Sequence, residues 1–383
     1  MNFFSLMFEE FKAIVSDKAI AITLFGGVLF YSVLYPLPYL NEVPTKQQIV
    51  VVDGDNSSLS RLVIRHAQAS PKLDVVAHVA NLTQAQAAVN AGEAHGYLVI
   101  PEGFRHNLLR QQGVTLAYGG DANYFLVYSA ILEGLVSVGI EAGKYIQFTG
   151  LLAMGETAKQ VQLELDPIHL NSVPAFNPSL GYTSYVVPGV LLLVLHQTLL
   201  IGTGILGAGQ WQRQGYWRQV SLGQLLCARV ATFSVIYSIF TAFYIGFCHY
   251  WYQVGVQGDL GQVCLFLLPF ILSTSLAGVA FSSLFVRRDL PTQVALLISM
   301  PILFASGFVW PVELIPVPLQ AVSQLIPGVV TIKGMLELNQ MGASWPSVVH
   351  LWWQLWGLAL VYLVLAYFGV RYRLNVMPIN NEQ

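Results

Sequence analysis

Six stretches of this sequence contain no Asp, Glu, Lys or Arg: residues 19–41, 167–212, 230–258, 260–286, 290–312 and 338–370. A helix crossing the hydrocarbon core of a bilayer takes about 20 mostly apolar residues, since each adds about 1.5 Å to a span of about 30 Å. Every stretch holds such a segment, which sets spans at 19–39, 186–207, 230–251, 263–286, 293–309 and 349–370. The reading is an α-helical polytopic membrane protein with six transmembrane helices. Hydrophobic residues at 55% and charged residues at 10% fit that class and exclude an ordinary soluble domain.

The charges that do occur are unevenly placed. Residues 42–166 hold twenty of the 38 charged side chains, eight basic and twelve acidic. This marks a water-soluble insertion at 40–180 between the first two spans, and its mild acidity argues against nucleic acid. In the short segments flanking the spans, Lys12, Lys18, Arg213, Arg218, Arg229, Arg287, Arg288, Arg371 and Arg373 fall on one side and only Lys333 on the other. By the positive-inside rule the rich side is cytoplasmic, with both termini inside and the inserted domain outside. An apolar segment at 122–143 is not read as a span, because Glu133 and Glu141 interrupt it and counting it would reverse every later loop. The first apolar stretch is too long for a cleaved signal peptide, and no small-residue cleavage site follows it before Pro36.

Residues 1–18 are amphipathic. Phe4, Met7, Phe8, Phe11, Ile14 and Val15 recur at helical spacing, with Glu9, Glu10, Lys12 and Asp17 on the other side. Such a helix lies in the cytoplasmic interface or packs on the protein's own cytoplasmic surface. Within the insertion, strands at 48–52, 73–79, 96–100 and 114–118 alternate with helices at 58–69, 83–91 and 102–110, the order of a small α/β domain. The turn Asp53-Gly54-Asp55-Asn56 lacks the glycine and closing glutamate of a calcium loop, so it reads as a capped strand-to-helix turn. A helical pattern with one or more breaks runs from 123 to 165 and ends at Asp166-Pro167. Five scattered histidines (His66, His78, His95, His106, His169) have no ligand spacing, and no metal site is assigned. Cys227, Cys248 and Cys264 read as apolar packing residues, a Cys248–Cys264 disulfide being the alternative.

The sequence contains no phosphate-binding loop, nucleophile elbow or zinc-protease helix. Inside the spans only His196 is ionisable near mid-membrane, whereas ion-coupled transporters normally keep protonatable groups at that depth. His196 is expected to hold a structural hydrogen bond to a neighbouring hydroxyl or carbonyl. Any energy would then come from a separate subunit.

Three stretches resemble a known family. Phe176-Asn177-Pro178 with Tyr185-Val186-Val187-Pro188-Gly189, residues 202–229, and residues 306–327 (SGFVWPVELIPVPLQAVSQLIP) are similar to the membrane subunit of ATP-binding-cassette type-2 exporters. The likeness is to the drug-efflux-like branch with a large periplasmic domain between the first two spans. It implies a cytoplasmic coupling loop at 208–229, with Arg213, Gly215, Tyr216, Trp217 and Arg218 meeting the ATPase. The chain departs from the family there, since Gln212-Arg213-Gln214-Gly215-Tyr216 lacks the usual acidic residue and threonine. It also implies an outer re-entrant hairpin at 310–345, with Trp310, Pro311, Glu313, Pro327 and Gly328 forming an outer gate hinged at Pro327-Gly328. Glu313 and Glu337 are expected to face water or a partner chain.

The resemblance further implies a bacterial inner-membrane exporter for hydrophobic or amphipathic, drug-like or lipid-like molecules. Its working unit would be two permease chains, identical or paralogous, with two ATPases. ATP and Mg²⁺ would bind the ATPases and no cofactor this chain; a periplasmic adaptor stays open. Trp310, Trp345, Trp352, Trp353 and Trp356 read as an aromatic belt at the outer interface, or as a substrate cluster. The rival readings are an ion-coupled secondary transporter and a non-transporting scaffold whose external domain binds a partner.

Overall fold

The computed structural model describes residues 2–40, 44–110, 112–168, 173–177, 181–211 and 213–376. The chain divides into two compact units, Val43–Val173 and the combination of Met1–Glu42 with Pro174–Gln383.

The smaller unit is an α/β layer. Its strands are β1 (Gln47–Asp53), β2 (Leu73–Val79), β3 (Gly96–Ile100) and β4 (Ala117–Gly120), ordered β2-β1-β3-β4. β1 pairs in parallel with β2 and β3, while β4 runs antiparallel to β3. Because β1 is central, both its faces are covered. Ile49 and Val51 enter one core with Val63, Leu98 and Ile131, and Val50 and Val52 enter another with Ala85 and Ala88. The fourth strand begins three residues later than position 114, where the sequence pattern placed it.

The turn after β1 is a capping device. Asp53 Oδ1 accepts from the amides of Asp55 (3.1 Å) and Asn56 (2.9 Å), and Asp53 Oδ2 accepts from Ser60 Oγ (2.8 Å). Ser57 and Ser60 form a reciprocal capping box at the start of the first helix of this unit, Ser58–Ala69. Asp55 Oδ2 accepts from the amide of Arg105 (3.0 Å), at the start of helix Phe104–Leu109. A hydrogen bond with Ser57 first, then the Arg105 and Phe104 amides, holds the Asp55 carboxyl below its ordinary value.

The helical pattern after residue 123 is two helices, Phe125–Ala153 and Ala158–Leu165, the second capped by Thr157 with Gln160. The longer one satisfies the length and composition of a membrane span. Within its unit, however, it is a core element: Ile131, Leu135, Val138 and Ala142 fall on one stripe packed with the sheet. Glu133 pairs with Lys72, and Glu141 lies 3.5 Å from His66. The charges that interrupt its apolar run are thus used by the same unit.

The larger unit is helical. In chain order through the whole protein, α1 is Phe3–Ser16, α2 Lys18–Tyr39, and α3 to α7 are the five helices of the smaller unit (Ser58–Ala69, Leu82–Asn90, Phe104–Leu109, Phe125–Ala153, Ala158–Leu165). α8 is Thr183–Gln210, α9 Leu222–Trp251, α10 Leu260–Ser282, α11 Leu290–Ala305, α12 Val317–Ser323, α13 Pro327–Gln340 and α14 Trp345–Val376. α2, α6, α8, α9, α10 and α14 are long and apolar enough to cross a membrane. The span expected at 293–309 is shorter as a helix, because α11 stops at Ala305 and Gly307 turns the chain at φ +86°. α8 is the central helix, buried over nearly its whole length against α10, α11 and the start of α2.

The three cysteines are free, so the disulfide alternative is not realised. α12 and α13 meet at a bend of 93°, a broken element at the position expected for the hairpin.

Candidate functional site

Two groups of residues were expected to work: a coupling turn and a gate. The turn is built from its flanks. α8 runs on through Gln210, and Ser221 caps α9 through a reciprocal pair with Gln224, so the turn lies between these two ends. Tyr216–Arg218 forms a 3₁₀ turn. Arg218 closes it, donating from Nη2 to the Trp211 carbonyl (2.9 Å) and from Nε to the Arg213 carbonyl (3.2 Å). Gly215 accommodates the Trp217 ring, since a Cβ there would lie 2.2 Å from it. Tyr216 and Trp217 meet edge to face at 5.2 Å. Arg213 is exposed, whereas Gly215, Tyr216, Trp217 and Arg218 are half-buried. The structure therefore brings the five predicted residues into one compact turn.

Beneath the turn lies a charge network that the sequence pattern assigned differently. Glu10 was placed on the polar face of α1 and Arg229 among the loop charges; both are buried, at 0% and 1% exposure. Arg229 grips Glu10 through two hydrogen bonds, Nε to Oε2 (2.9 Å) and Nη2 to Oε1 (2.8 Å), and also donates to Gln210. Gln210 Nε2 donates to Tyr216 Oη (3.2 Å), and the Arg229 guanidinium sits 5.7 Å from the Trp211 ring centroid. Burial first, and the Glu10 charge next, push the Tyr216 phenol above its ordinary value, so it remains protonated. A carboxylate and a guanidinium leave water together only when paired this completely.

α1 packs on the bundle by one face. Leu6, Glu10 and Ile14, four residues apart, face inward, and Thr232 of α9 donates to the Met7 carbonyl (3.3 Å). Phe4, Phe8, Phe11 and Val15 remain exposed. The helix packs on the protein and presents an aromatic face outward at the same time. A repeated lesson of amphipathic helices applies: a Glu–Arg pair looks polar in a sequence and becomes interior once neutralised.

This end of the bundle gathers the basic residues. The last carbonyls of α10 and the residues after it accept from Trp211 Nε1 (Ser282, 3.0 Å), Arg373 Nε (Ser283, 2.6 Å) and Arg373 Nη2 (Leu284, 3.0 Å). These are the groups a helix C-terminus leaves unpaired. Arg288 pairs with Asp17, which also caps α2 through the Ala19 amide (3.1 Å). Arg287 holds the Asp289 carboxyl below its ordinary value by hydrogen bond.

The gate set divides by burial. Trp310, Pro311 and Glu313 are exposed, while Pro327 and Gly328 are buried at the start of α13. Gln320 Nε2 ties the 312–315 turn to α12 by donating to the carbonyls of Val312 (2.8 Å) and Ile315 (2.7 Å). Glu337 is half-buried. On α14, Trp352 stacks edge to face with Trp345, Trp353 and Trp356, and its Nε1 donates to the Leu265 carbonyl (2.9 Å). His196 departs from expectation: buried at 2% exposure, its Nδ1 has no hydrogen-bond partner among the described residues.

A family model described as ABC-2 family transporter protein matches residues 18–368. Over 377 residues the chain is 25% identical to the probable multidrug ABC transporter permease YbhR of Escherichia coli K12, covering 93% of this chain and 94% of that one. The protein of the same name from Escherichia coli O157:H7 matches with the same figures. With its apolar helices, its turn between α8 and α9 and its broken helix before α14 in the expected order, the chain belongs to the ABC-2 family of transporter proteins.

Proposed function

We propose that this chain is the membrane permease of an ATP-driven exporter for hydrophobic or amphipathic, drug-like or lipid-like molecules. In this reading the basic end of the bundle faces the cytoplasm, both termini included, and the α/β unit lies on the outer side of a bacterial inner membrane. ATP and Mg²⁺ bind to a separate ATPase, and two permease chains assemble around the path. The multidrug relative supports the substrate class.

The observation that carries the reading is the buried network Glu10–Arg229–Gln210–Tyr216 under the turn. It joins α1, the end of α8, the turn and α9 into one body, so a push on the exposed rim of the turn is delivered to two membrane helices. A turn whose only task was to sit on lipid would need no such coupling. Trp310, Pro311 and Glu313 then belong to the mobile outer rim, and Pro327 and Gly328 to its buried hinge.

Replacing Arg213 and Trp217 together with alanine is expected to cut ATPase co-purification or transport-coupled hydrolysis at least tenfold, about 1.4 kcal/mol of contact energy, with insertion unchanged. Unaltered association and coupling in that variant would remove the turn as the ATPase contact. If the wild-type chain transports with no dependence on ATP, the exporter reading gives way to an ion-coupled one.

A further inference from the structure

Halfway along the 28-residue central helix α8 stands His196, a polar side chain in the middle of an apolar bundle. Its neighbour across the bundle is the first turn of α13. A Cβ at Gly328 would sit 2.7 Å from His196 Cγ, so the broken helix rests directly on the imidazole. With its Nδ1 unpartnered, the ring carries an unmet hydrogen-bonding group where water is scarce.

The same ring lines a cavity of about 450 Å³ with Phe281 of α10, Ile298 and Ile302 of α11, Pro327 at the bend and Tyr362 of α14. That volume lies in the range of about 300–1,000 Å³ that holds drug-sized molecules, and a mostly apolar wall with a few polar groups, here His196, Ser283 and Tyr362, is the usual makeup of such sites. Phe368 and Leu365, also on its wall, are exposed apolar side chains, so the cavity opens sideways on the bundle's surface. A resident acyl chain would fill the apolar volume yet offer nothing to the imidazole on its wall. The occupant that satisfies the whole site brings its own hydrogen-bonding group to mid-helix depth.

We propose that this cavity binds a membrane-partitioned amphipathic small molecule, whose polar group pairs with His196 while its apolar body lies against Phe281, Ile298 and Ile302. The proposal takes its substrate role from the exporter reading, and the binding itself stands apart from it. Because Gly328 rests on the same ring, occupancy would bear on the hinge that the gate uses.

The probe is 4-hydroxybenzophenone, whose phenol can donate to or accept from an imidazole and whose ketone inserts photochemically into nearby C–H bonds. The full-length chain, with any ATPase that co-purifies, is labelled in phosphatidylcholine nanodiscs and the labelled peptides are mapped. Saturable labelling of the α10 and α11 peptides is expected. His196→Leu should lower it about tenfold, the loss of one buried hydrogen bond, and His196→Gln, whose carbonyl accepts, should restore most of it. Ile298→Trp, which fills the cavity from α11 without touching the histidine, should lower it as well and decides the matter should His196→Leu fail to insert. Labelling that survives both His196→Leu and Ile298→Trp overturns the site. So does equal labelling of wild type and His196→Leu by phosphatidylcholine carrying benzophenone at its acyl end, which makes the occupant a lipid tail. A chain that binds the probe but never an ATPase would sink the exporter reading and leave this site standing.

Discussion

The two units use charge in opposite ways. In the α/β unit, charged pairs sit at the surface: Lys144 and Asp166 meet at 3.1 Å with side chains 46% and 35% exposed, while aliphatic and aromatic side chains build the core. In the helical unit charges are few, yet Glu10 and Arg229 are sealed inside at 0% and 1%. Water-exposed pairs gain little because the solvent competes for both partners. A buried pair is different: its net contribution is small, but losing one partner strands the other in a low-dielectric interior. The ion pairs of the first unit remain exposed to water, whereas the buried pair of the second joins α1 to α9.

The sharpest break of this comparison concerns α6, which has the composition of a span and the packing of a core helix. In a cysteine-free background, cysteines placed at Gln112 and Gln257 are expected to react with an impermeant thiol reagent from outside, and one at Gln214 is not. If Gln112 and Gln214 behave alike, α6 crosses the membrane and every later loop is reversed. The outcome is all or none.

Next in size is the buried pair. Glu10→Ala should cost about 3–5 kcal/mol of stability and free α1 for proteolysis, because Arg229 is left uncompensated. The double variant Glu10→Leu with Arg229→Met should recover most of the stability while still loosening the Gln210–Tyr216 link, read as lost ATPase coupling. A single variant as harmless as the double one would mean that the pair binds nothing together.

For the surface pair, Lys144→Ala should shift stability by no more than about 1 kcal/mol, and less in high salt. A loss as large as that of Glu10→Ala would erase the distinction between the units.

The smallest effect is a pH dependence. The Asp55 carboxyl is held below its ordinary value of 3.8, so its contribution is complete above that value and disappears as pH falls through the folded one. Asp55→Ala should therefore lower stability by a few tenths of a kcal/mol near neutrality and flatten the acid limb of the unfolding profile. An unchanged acid limb would show that the Arg105 and Ser57 contacts carry no such linkage.

Much of this was readable from local pattern. Uncharged runs longer than a bilayer is thick predict the helices at 186–207 and 263–286, because only a helix satisfies such a run's backbone in lipid within the run itself. Asp53 to Ser60 announces a capped turn, since short side chains beside helix amides have few other partners. The prolines from Pro311 to Pro327 announce a broken helix. The fourth strand was placed early because residues 114–118 have the right composition, while pairing with β3 chose Ala117–Gly120.

Residue order by itself thus determined which segments are helical and that the basic residues cluster between alternate spans, but not every helix end, since α11 stops at Ala305. These are consequences of chain length, periodicity and solvent, and they need no knowledge of neighbours. Only the tertiary structure decided that Glu10 meets Arg229, 219 residues away, that the apolar helix Phe125–Ala153 packs its stripe on a sheet, and that His196, beneath Gly328, finds no partner for Nδ1 among the described residues. A side chain's charge is written in the sequence. Whether it faces water, a partner or an apolar cavity depends on which distant surfaces close over it.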